Sequence, residues 1–275
     1  MSDPILLTEK RILILLTTST LPEFNLALED ILLQGVEEKS LPGMLVRFWK
    51  NTDCLVTGQT RHISYGWYRE DEASRLGVRV LKRSTGGGVV FHDLGNLNWS
   101  FYIRKESGGF IPPIRLFAYA AGIICGTLRE FGLEAFFTPP NRIDLMGFKI
   151  SGMAARAKLN SVLIHGTLLI STDLEKLNRL CIHPPGCPPV TNLSQLNPEI
   201  TATSFVKAFL KHLTKKGCDY EVFETEDFVK NHVRLPKMLE ERGAKHCIRD
   251  SDYMQHQTLL NAVKNSMRGN MQTCK

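Results

Sequence analysis

STGGGVVFHDLGNLNWSF, Ser84 to Phe101, packs three consecutive glycines, a His-Asp pair and two asparagines into one short stretch. Glycine triplets in flexible linkers sit among other small polar residues. This one lies between VRVLKR and VVFH, both rich in strand formers, so it is read as a turn held inside a sheet. Residues without Cβ let backbone N–H groups approach an anion closely. Lys82 and Arg83 just before them bring positive charge, the arginine with a fork that fits a phosphate or a carboxylate. No GK[ST] follows, and a strand rather than a helix comes next, which excludes the P-loop and the dinucleotide fingerprint. Two readings of the glycines stay open: an anion-binding loop, and a tight β-turn with incidental basic neighbours. The turn leaves FHDLGNLN unexplained.

Outward from this stretch, the pattern mixes strands and helices. RILILLT reads as a buried first strand, and LPEFNLALEDILLQGVEE, with Pro22 near its start, as an amphipathic helix. MLVRFWK and DCLVTGQ, separated by NT, look like a hairpin. REDEASRLG is a short helix, LNWSFYI a strand, and IRLFAYAAGIICGTLREFG a buried helix ending at Gly132. DLMGFKISGMAAR and SVLIHGTLLIS read as two strands joined as a hairpin. DLEKLNRL and TATSFVKAFLKHLTKKG read as helices, the second capped by Thr201 or Thr203. Without strict alternation a doubly wound parallel sheet is disfavoured, and the fold class is α+β: mixed β-sheets flanked by helices.

The chain has 275 residues, 43% hydrophobic and 23% charged, enough for one large core and a small appendage. Its amino-terminal apolar run follows acidic residues and is far shorter than the roughly 20 residues of a spanning helix, and it lacks the marks of a signal or transit peptide. Seven scattered cysteines favour a reducing cytoplasm. The net charge of +6 is spread rather than gathered into a stripe, so acidic proteins or acidic small molecules are expected as partners ahead of nucleic acid, and no membrane. Lys149, between Gly147 and Gly152, and His165, before a Gly-Thr pair, would each ordinarily be structural or solvated. Three unusual stretches in one domain weigh against that.

EFNLALEDILL, FWKNTDCLVTGQ, LKRSTGGGVVFHDLGNLNWSF, NRIDLMGFKISGMA, IHGTLLISTDLEKL and PVTNLSQL occur in the order seen in lipoate-protein ligases, which the chain resembles over most of residues 20–200. The resemblance implies a biotin/lipoate ligase-type catalytic domain over 1–225, followed by a short helical extension over 226–275. It implies that ATP and lipoate, or octanoate, form an acyl-adenylate, and that a lysine of a lipoyl domain or H-protein-like acceptor then takes the acyl group. Lys149 is the implied catalytic residue, holding oxygens where negative charge develops. Arg83 would meet the phosphate, and Gly86, Gly87 and Gly88 would line the pocket. Lys82, Ser84, Val90, His92, Asn96, Asn98, Ser151, Gly152, Ala154, His165, Gly166 and Thr167 complete the implied substrate and nucleotide contacts. Mg²⁺ commonly offsets phosphate charge in adenylation, with Asp144 as candidate ligand. Trp49 and Val56 are candidates for an apolar tunnel holding the acyl tail.

Two departures from the family matter. The stretch after about Thr225 is too short for the accessory domain of long ligases, so a small separate accessory subunit is a plausible partner, and SDYMQHQTLLNAVKNSMRGNMQTCK reads as helical. RLCIHPPGCPPVTN carries Cys181 and Cys187 near where ATP-independent octanoyl transferases keep a cysteine nucleophile, which Lys149 would assist. Cys181, His183 and Cys187 could also be part of a zinc site, with a fourth ligand such as Cys247. A binding subunit that keeps the pocket without the chemistry is the non-enzyme alternative.

Overall fold

Arg11–Leu16 (β1) is apolar without alternation because both its faces are covered: Ile12 and Ile14 enter one core, Leu13 and Leu15 another. The computed structural model describes residues 11–59, 67–105, 110–183, 185–232 and 246. After β1 come α1 (Pro22–Glu37), β2 (Met44–Trp49), β3 (Cys54–Thr57), α2 (Glu70–Arg75), β4 (Arg79–Lys82), β5 (Val89–His92) and β6 (Asn96–Arg104). The chain continues through α3 (Pro113–Leu128), β7 (Phe136–Thr138), β8 (Arg142–Leu145), β9 (Phe148–Ala157), β10 (Ser161–Leu169), α4 (Leu174–Leu180), α5 (Leu193–Leu196), α6 (Ala202–Lys215), β11 (Asp219–Glu224) and α7 (Thr225–His232).

Eight strands form a mixed sheet in the order β11-β1-β2-β6-β10-β9-β8-β7, and three form a second sheet, β4-β3-β5. On one face of the large sheet, α3 and α6 supply Ile124, Leu128, Phe205 and Phe209, with Phe209 edge-on to Phe48 at 5.0 Å. α1 covers the other face with Phe24, Leu28, Ile31 and Leu32. Each such side chain contributes roughly 1.5–3 kcal/mol by its burial. The small sheet is backed by α2 and α4 through Leu55, Val80, Phe91 and Leu180. Its opposite face, with Cys54, Val56 and Leu81, packs on Leu26 of α1 and Trp49 of β2. α6 starts at Thr201, whose hydroxyl accepts from the Ser204 N–H, so Thr201 rather than Thr203 is the cap. Among the described residues no helix is long and apolar enough to cross a membrane.

Two local expectations are corrected. β2 and β3 are not a hairpin: β2 pairs with β1 and β6 in the large sheet, and β3 with β4 and β5 in the small one. The buried amide of Asn25 holds this crossing, donating to Lys50 O at 2.9 Å and Asn51 Oδ1 at 2.9 Å. DLMGFKISGMAAR is two strands, not one. Met146 and Gly147 turn between β8 and β9 with φ of 52° and 82°, the left-handed pair of a tight hairpin turn. β11, unread in the sequence, runs parallel to β1 at the sheet edge. α7 begins directly after it and buries Phe228 and Val229 against Leu13 and Leu15, so residues just past 225 share the body's core. The helical reading of the last twenty-five residues, and Cys247 and Cys274, lie outside the described residues.

Candidate active site

The alternation of NLNWSFY along β6 is the key to the site. Leu97, Trp99 and Phe101 enter the core under α3 and α6, while Asn98, Ser100 and Tyr102 point to the opposite face. Strand register aligns Trp49, Asn98 and Thr167 in one cross-strand row. The row continues to Gly152, whose N–H lies 3.5 Å from Thr167 Oγ1, and to Arg142, paired with Gly152. Arg47, Ser100, His165 and Ala154 form the next row. The first row is one wall of a cavity of about 430 Å³. Val56, Val90 and His92 of the small sheet face it, Leu26 of α1 closes one side, and Lys149 and the loop carrying Cys187 complete it.

The glycine loop is not a turn between neighbouring strands, because β4 and β5 flank β3 on opposite sides. It crosses over the end of β3, where Gly58 and Gln59 N–H groups donate to Gly88 O at 3.2 Å and Thr85 O at 2.7 Å. Arg83, 6% exposed, directs its guanidinium at Val56 O, Gly86 O, Gly88 O and Thr85 Oγ1 at 2.8–3.0 Å. It therefore clamps the loop while also lining the cavity. Burial lowers its pKa to about 10, partly opposed by Glu29, and it stays charged at neutral pH. Gly87 adopts φ +97°, open only to glycine at little cost, and Trp67 lies over Gly88.

A buried relay ties this loop to α1. Thr85 Oγ1 meets His165 Nε2 at 2.8 Å, and His165 Nδ1 donates to Glu29 Oε2 at 2.8 Å. Glu29 also accepts from Ser100 Oγ at 2.6 Å, and Ser100 Oγ from Trp49 Nε1 at 3.0 Å. Burial alone would raise the Glu29 pKa. The His165 charge and hydrogen bond, the Ser100 hydroxyl and the Arg47 charge outweigh it and hold the carboxyl below its ordinary value. His165 lines the cavity, then, but both its ring nitrogens are committed. Gly166 has a fold reason as well: a Cβ there would lie 2.3 Å from the Trp99 indole.

Lys149 sits on β9, its N–H held by Pro189 O at 2.8 Å, and its ammonium lies over Gly152, 3.4 Å from where a Cβ would be. No carboxylate among the described residues pairs with it, which leaves its charge available to the cavity. Two polar groups on the wall have no partner among the described residues: Ser151 Oγ and Asn98 Nδ2, while Asn98 Oδ1 accepts from Asn96 at 2.9 Å. Buried groups of this kind are satisfied by a ligand or water. His92 is kept neutral, its pKa lowered to about 3 by burial and by the Arg83 and His165 charges.

Of the residues singled out in the sequence, Arg83, Gly87, Gly88, Val90, His92, Asn98, Lys149, Ser151, Gly152, Ala154, His165, Gly166, Thr167, Cys181 and Cys187 come together around this cavity, with Trp49 and Val56. Lys82 and Ser84 instead line a second cavity of about 270 Å³ with Asp30, Arg156 and Lys158. Asn96 stands behind Asn98, and Gly86 is exposed outside both cavities. Asp144 does not fit a magnesium ligand: Arg142 Nε holds its carboxylate at 2.8 and 3.1 Å, off the cavity lining. Among the described residues no group of three His, Cys, Asp or Glu side chains could hold a metal, which also sets aside zinc at Cys181, His183 and Cys187. Burial pushes the Cys181 thiol up to about 12 despite the Lys149 and Arg69 charges, so it stays protonated at neutral pH. Glu29, Asn51, Ser100 and Arg142 were missed. The available signal was Asn25 and Glu29, two polar residues four apart on a helix face otherwise apolar.

Residues 21–214 match the family model of the lipoyl protein ligase A/B catalytic domain. A relative from Aeropyrum pernix, whose name places it with lipoate-protein ligase A, is 37% identical over 173 residues, 62% of this chain and 62% of its own length. The chain thus spans about three fifths of that relative. Among solved structures, the complex of P. falciparum LipL1 with lipoate superposes with a TM-score of 0.70 at 25% identity, covering 85% of this chain and 71% of that one. A lipoate-protein ligase A bound with ATP gives 0.68 at 20% identity, covering 85% and 94%. The bi-partite lipoate protein ligase of Thermoplasma acidophilum, described with its E2 lipoyl domain, gives 0.67 at 20%, covering 85% and 91%. The last two establish likeness of fold.

Proposed function

Because the chain belongs to the lipoyl protein ligase A/B catalytic-domain family, we propose that it is an ATP-dependent lipoate-protein ligase acting on an acceptor lipoyl domain or H-protein-like acceptor. The observation that carries this reading is one cavity with a lysine at its polar end that pairs with no carboxylate among the described residues, and an apolar end closed by Trp49, Val56 and Leu26. From Trp49 to Gly152 the wall spans three strand spacings, about 14 Å, which suits a medium-chain acyl group with its carboxylate near Lys149.

In the first step a carboxylate oxygen attacks the α-phosphorus of ATP and pyrophosphate leaves. On this reading the Lys149 ammonium, which lines the cavity, meets the charge that builds on the carboxyl and phosphoryl oxygens, a role worth most in a site shielded from water. Ser151 Oγ and Asn98 Nδ2, without partners among the described residues, are available to bond a substrate. The Arg83 clamp and the His165–Glu29 relay keep the glycine loop shaped before substrate arrives, so little ordering is left for the reaction. In the second step the amine of an acceptor lysine attacks the acyl carbon, AMP leaves, and an amide forms. No step is assigned to a metal.

The test is pyrophosphate release by the purified chain with ATP, magnesium and lipoate, followed by the mass of an added apo lipoyl domain, with and without a candidate second subunit. Pyrophosphate together with a mass increase of one lipoyl group supports the ligase. An acyl transfer from octanoyl carrier protein without ATP would replace it with the transferase. Cys187 is the residue that reading would need, since it lines the cavity and Cys181 is held as a thiol. Cys187→Ser is expected to change the ligase rate less than about twofold, whereas loss of a catalytic nucleophile costs several powers of ten.

A further inference from the structure

Arg47 is fully buried in β2, and an arginine can only donate hydrogen bonds. That fact sets the direction of a chain of four side chains. Arg47 Nη1 donates to the Asn25 backbone oxygen at 3.0 Å and Nη2 to Asn25 Oδ1. The Asn25 amide nitrogen therefore faces Asn51, donating to its Oδ1 at 2.9 Å. Asn51 in turn presents its own amide nitrogen to His92 Nδ1 at 3.1 Å. Nδ1 must accept, and in the neutral ring the proton is on Nε2.

The consequence falls at the deep end of the cavity. His92 lines it, 4% exposed, edge-on to Trp49 at 5.8 Å and on the same face of the small sheet as Val56 and Val90. Asn51 is not among the lining residues, so the ring edge opposite it, carrying Nε2–H, is the edge left for the cavity. No described residue accepts from that N–H. The end of the cavity lined by Leu26, Trp49, Val56 and Val90 thus carries an N–H donor fixed in place by its neighbours.

Resting on the ligase reading, we propose that His92 is a specificity-determining residue, through which the deep end of the cavity favours an acyl tail ending in a sulfur-containing ring over a saturated chain of equal length. A saturated tail seals the N–H away from water with no acceptor, a net loss. A ring sulfur is a weak acceptor for it, and its polarisable electrons also meet the Trp49 ring favourably. Specificity here comes from a penalty against the wrong tail as well as a contact to the right one.

The experiment is calorimetric binding of lipoate and of octanoate, without ATP, to the wild-type chain and to His92→Leu and His92→Gln. The glutamine keeps an N–H near the position of Nε2; the leucine removes it. Wild type is expected to bind lipoate about tenfold tighter than octanoate, a difference of about 1.4 kcal/mol. The leucine variant should bring the ratio close to one, chiefly by tighter octanoate binding, and the glutamine variant should keep most of the preference. An unchanged ratio in a folded His92→Leu, or equal affinities in wild type, overturns the proposal alone. Binding of neither acid overturns the ligase reading and the proposal with it. Should the leucine variant not fold, wild type is compared on octanoate and a length-matched acid with sulfur in place of its penultimate methylene. Tighter binding of the sulfur acid is expected, and equal binding would sink the idea.

Discussion

Lys149 and Glu29 stand at opposite extremes of what a charged side chain can do in this site. Lys149 spends its backbone N–H on Pro189 and leaves its ammonium without a carboxylate among the described residues, so the fold does not depend on its charge. Lys149→Ala is expected to lower the rate of pyrophosphate release by about 10²–10³ or more while the thermal midpoint is unchanged; a variant with full activity would exclude the role assigned here. Glu29 is the reverse, 2% exposed and bonded to His165 and Ser100. Its folded pKa lies below the ordinary 4.5, so its stabilisation is complete above the unfolded value and is lost as the pH falls through the folded one. Glu29→Gln should cost about 3 kcal/mol at neutral pH by breaking a buried pair, and urea midpoints of the two proteins should converge as the pH drops below 4.5. A gap that stays constant down to strongly acid pH would show that the charge is not what the relay uses. Lys149 was legible in the sequence because it stood between glycines in an unusual neighbourhood. Glu29 left only its place, four residues after Asn25 on an apolar helix face, and its partners His165 and Ser100 are known only once the strands beneath it are placed.

At the scale of elements, the glycines where the loop crosses the end of β3 separate into those the fold requires and one it does not. A Cβ on Gly58 would lie 2.2 Å from Gly87 O, and Gly87 itself has a left-handed φ. A Cβ on Gly86 would meet nothing within 4 Å, and its φ is not left-handed. Gly58→Ala should therefore destabilise by about 1–3 kcal/mol or more through backbone overlap, and Gly86→Ala by less than about 1 kcal/mol. Urea unfolding checks both. If Gly86→Ala then loses activity at unchanged stability, the loss reports close approach of substrate to the loop rather than a damaged fold. The loop's strand neighbours were readable from composition, but not their partners. β2 and β3 looked like a hairpin because short separation and β-branched residues are local properties, while the choice of sheet depends on Asn25, in a helix twenty-five residues earlier, gripping the turn while Arg47 of β2 holds Asn25.

At the scale of the whole molecule, α7 completes the core under α1 rather than standing apart from it. Phe228 is buried with Leu13, Leu15 and Leu28, and Glu226 accepts from the Ser19 N–H at 2.7 Å. Phe228→Ala should cost about 3–5 kcal/mol as a core cavity, seen as a lowered urea midpoint; a change below about 1 kcal/mol would place α7 outside the cooperative unit. The sequence by itself determined the α+β class, most of the helices and strands, the glycine loop and the residues that resemble a lipoate ligase, because periodicity, glycine spacing and motif order are written along the chain. Only the tertiary structure decided which strands share a sheet, that Arg83 and His165 hold the loop, that Lys82, Ser84 and Asp144 stand away from the main cavity, and that His92 presents Nε2–H. Those outcomes depend on cross-strand register and on chains of hydrogen bonds between residues far apart in sequence, whose direction is set by a buried group that can donate but not accept.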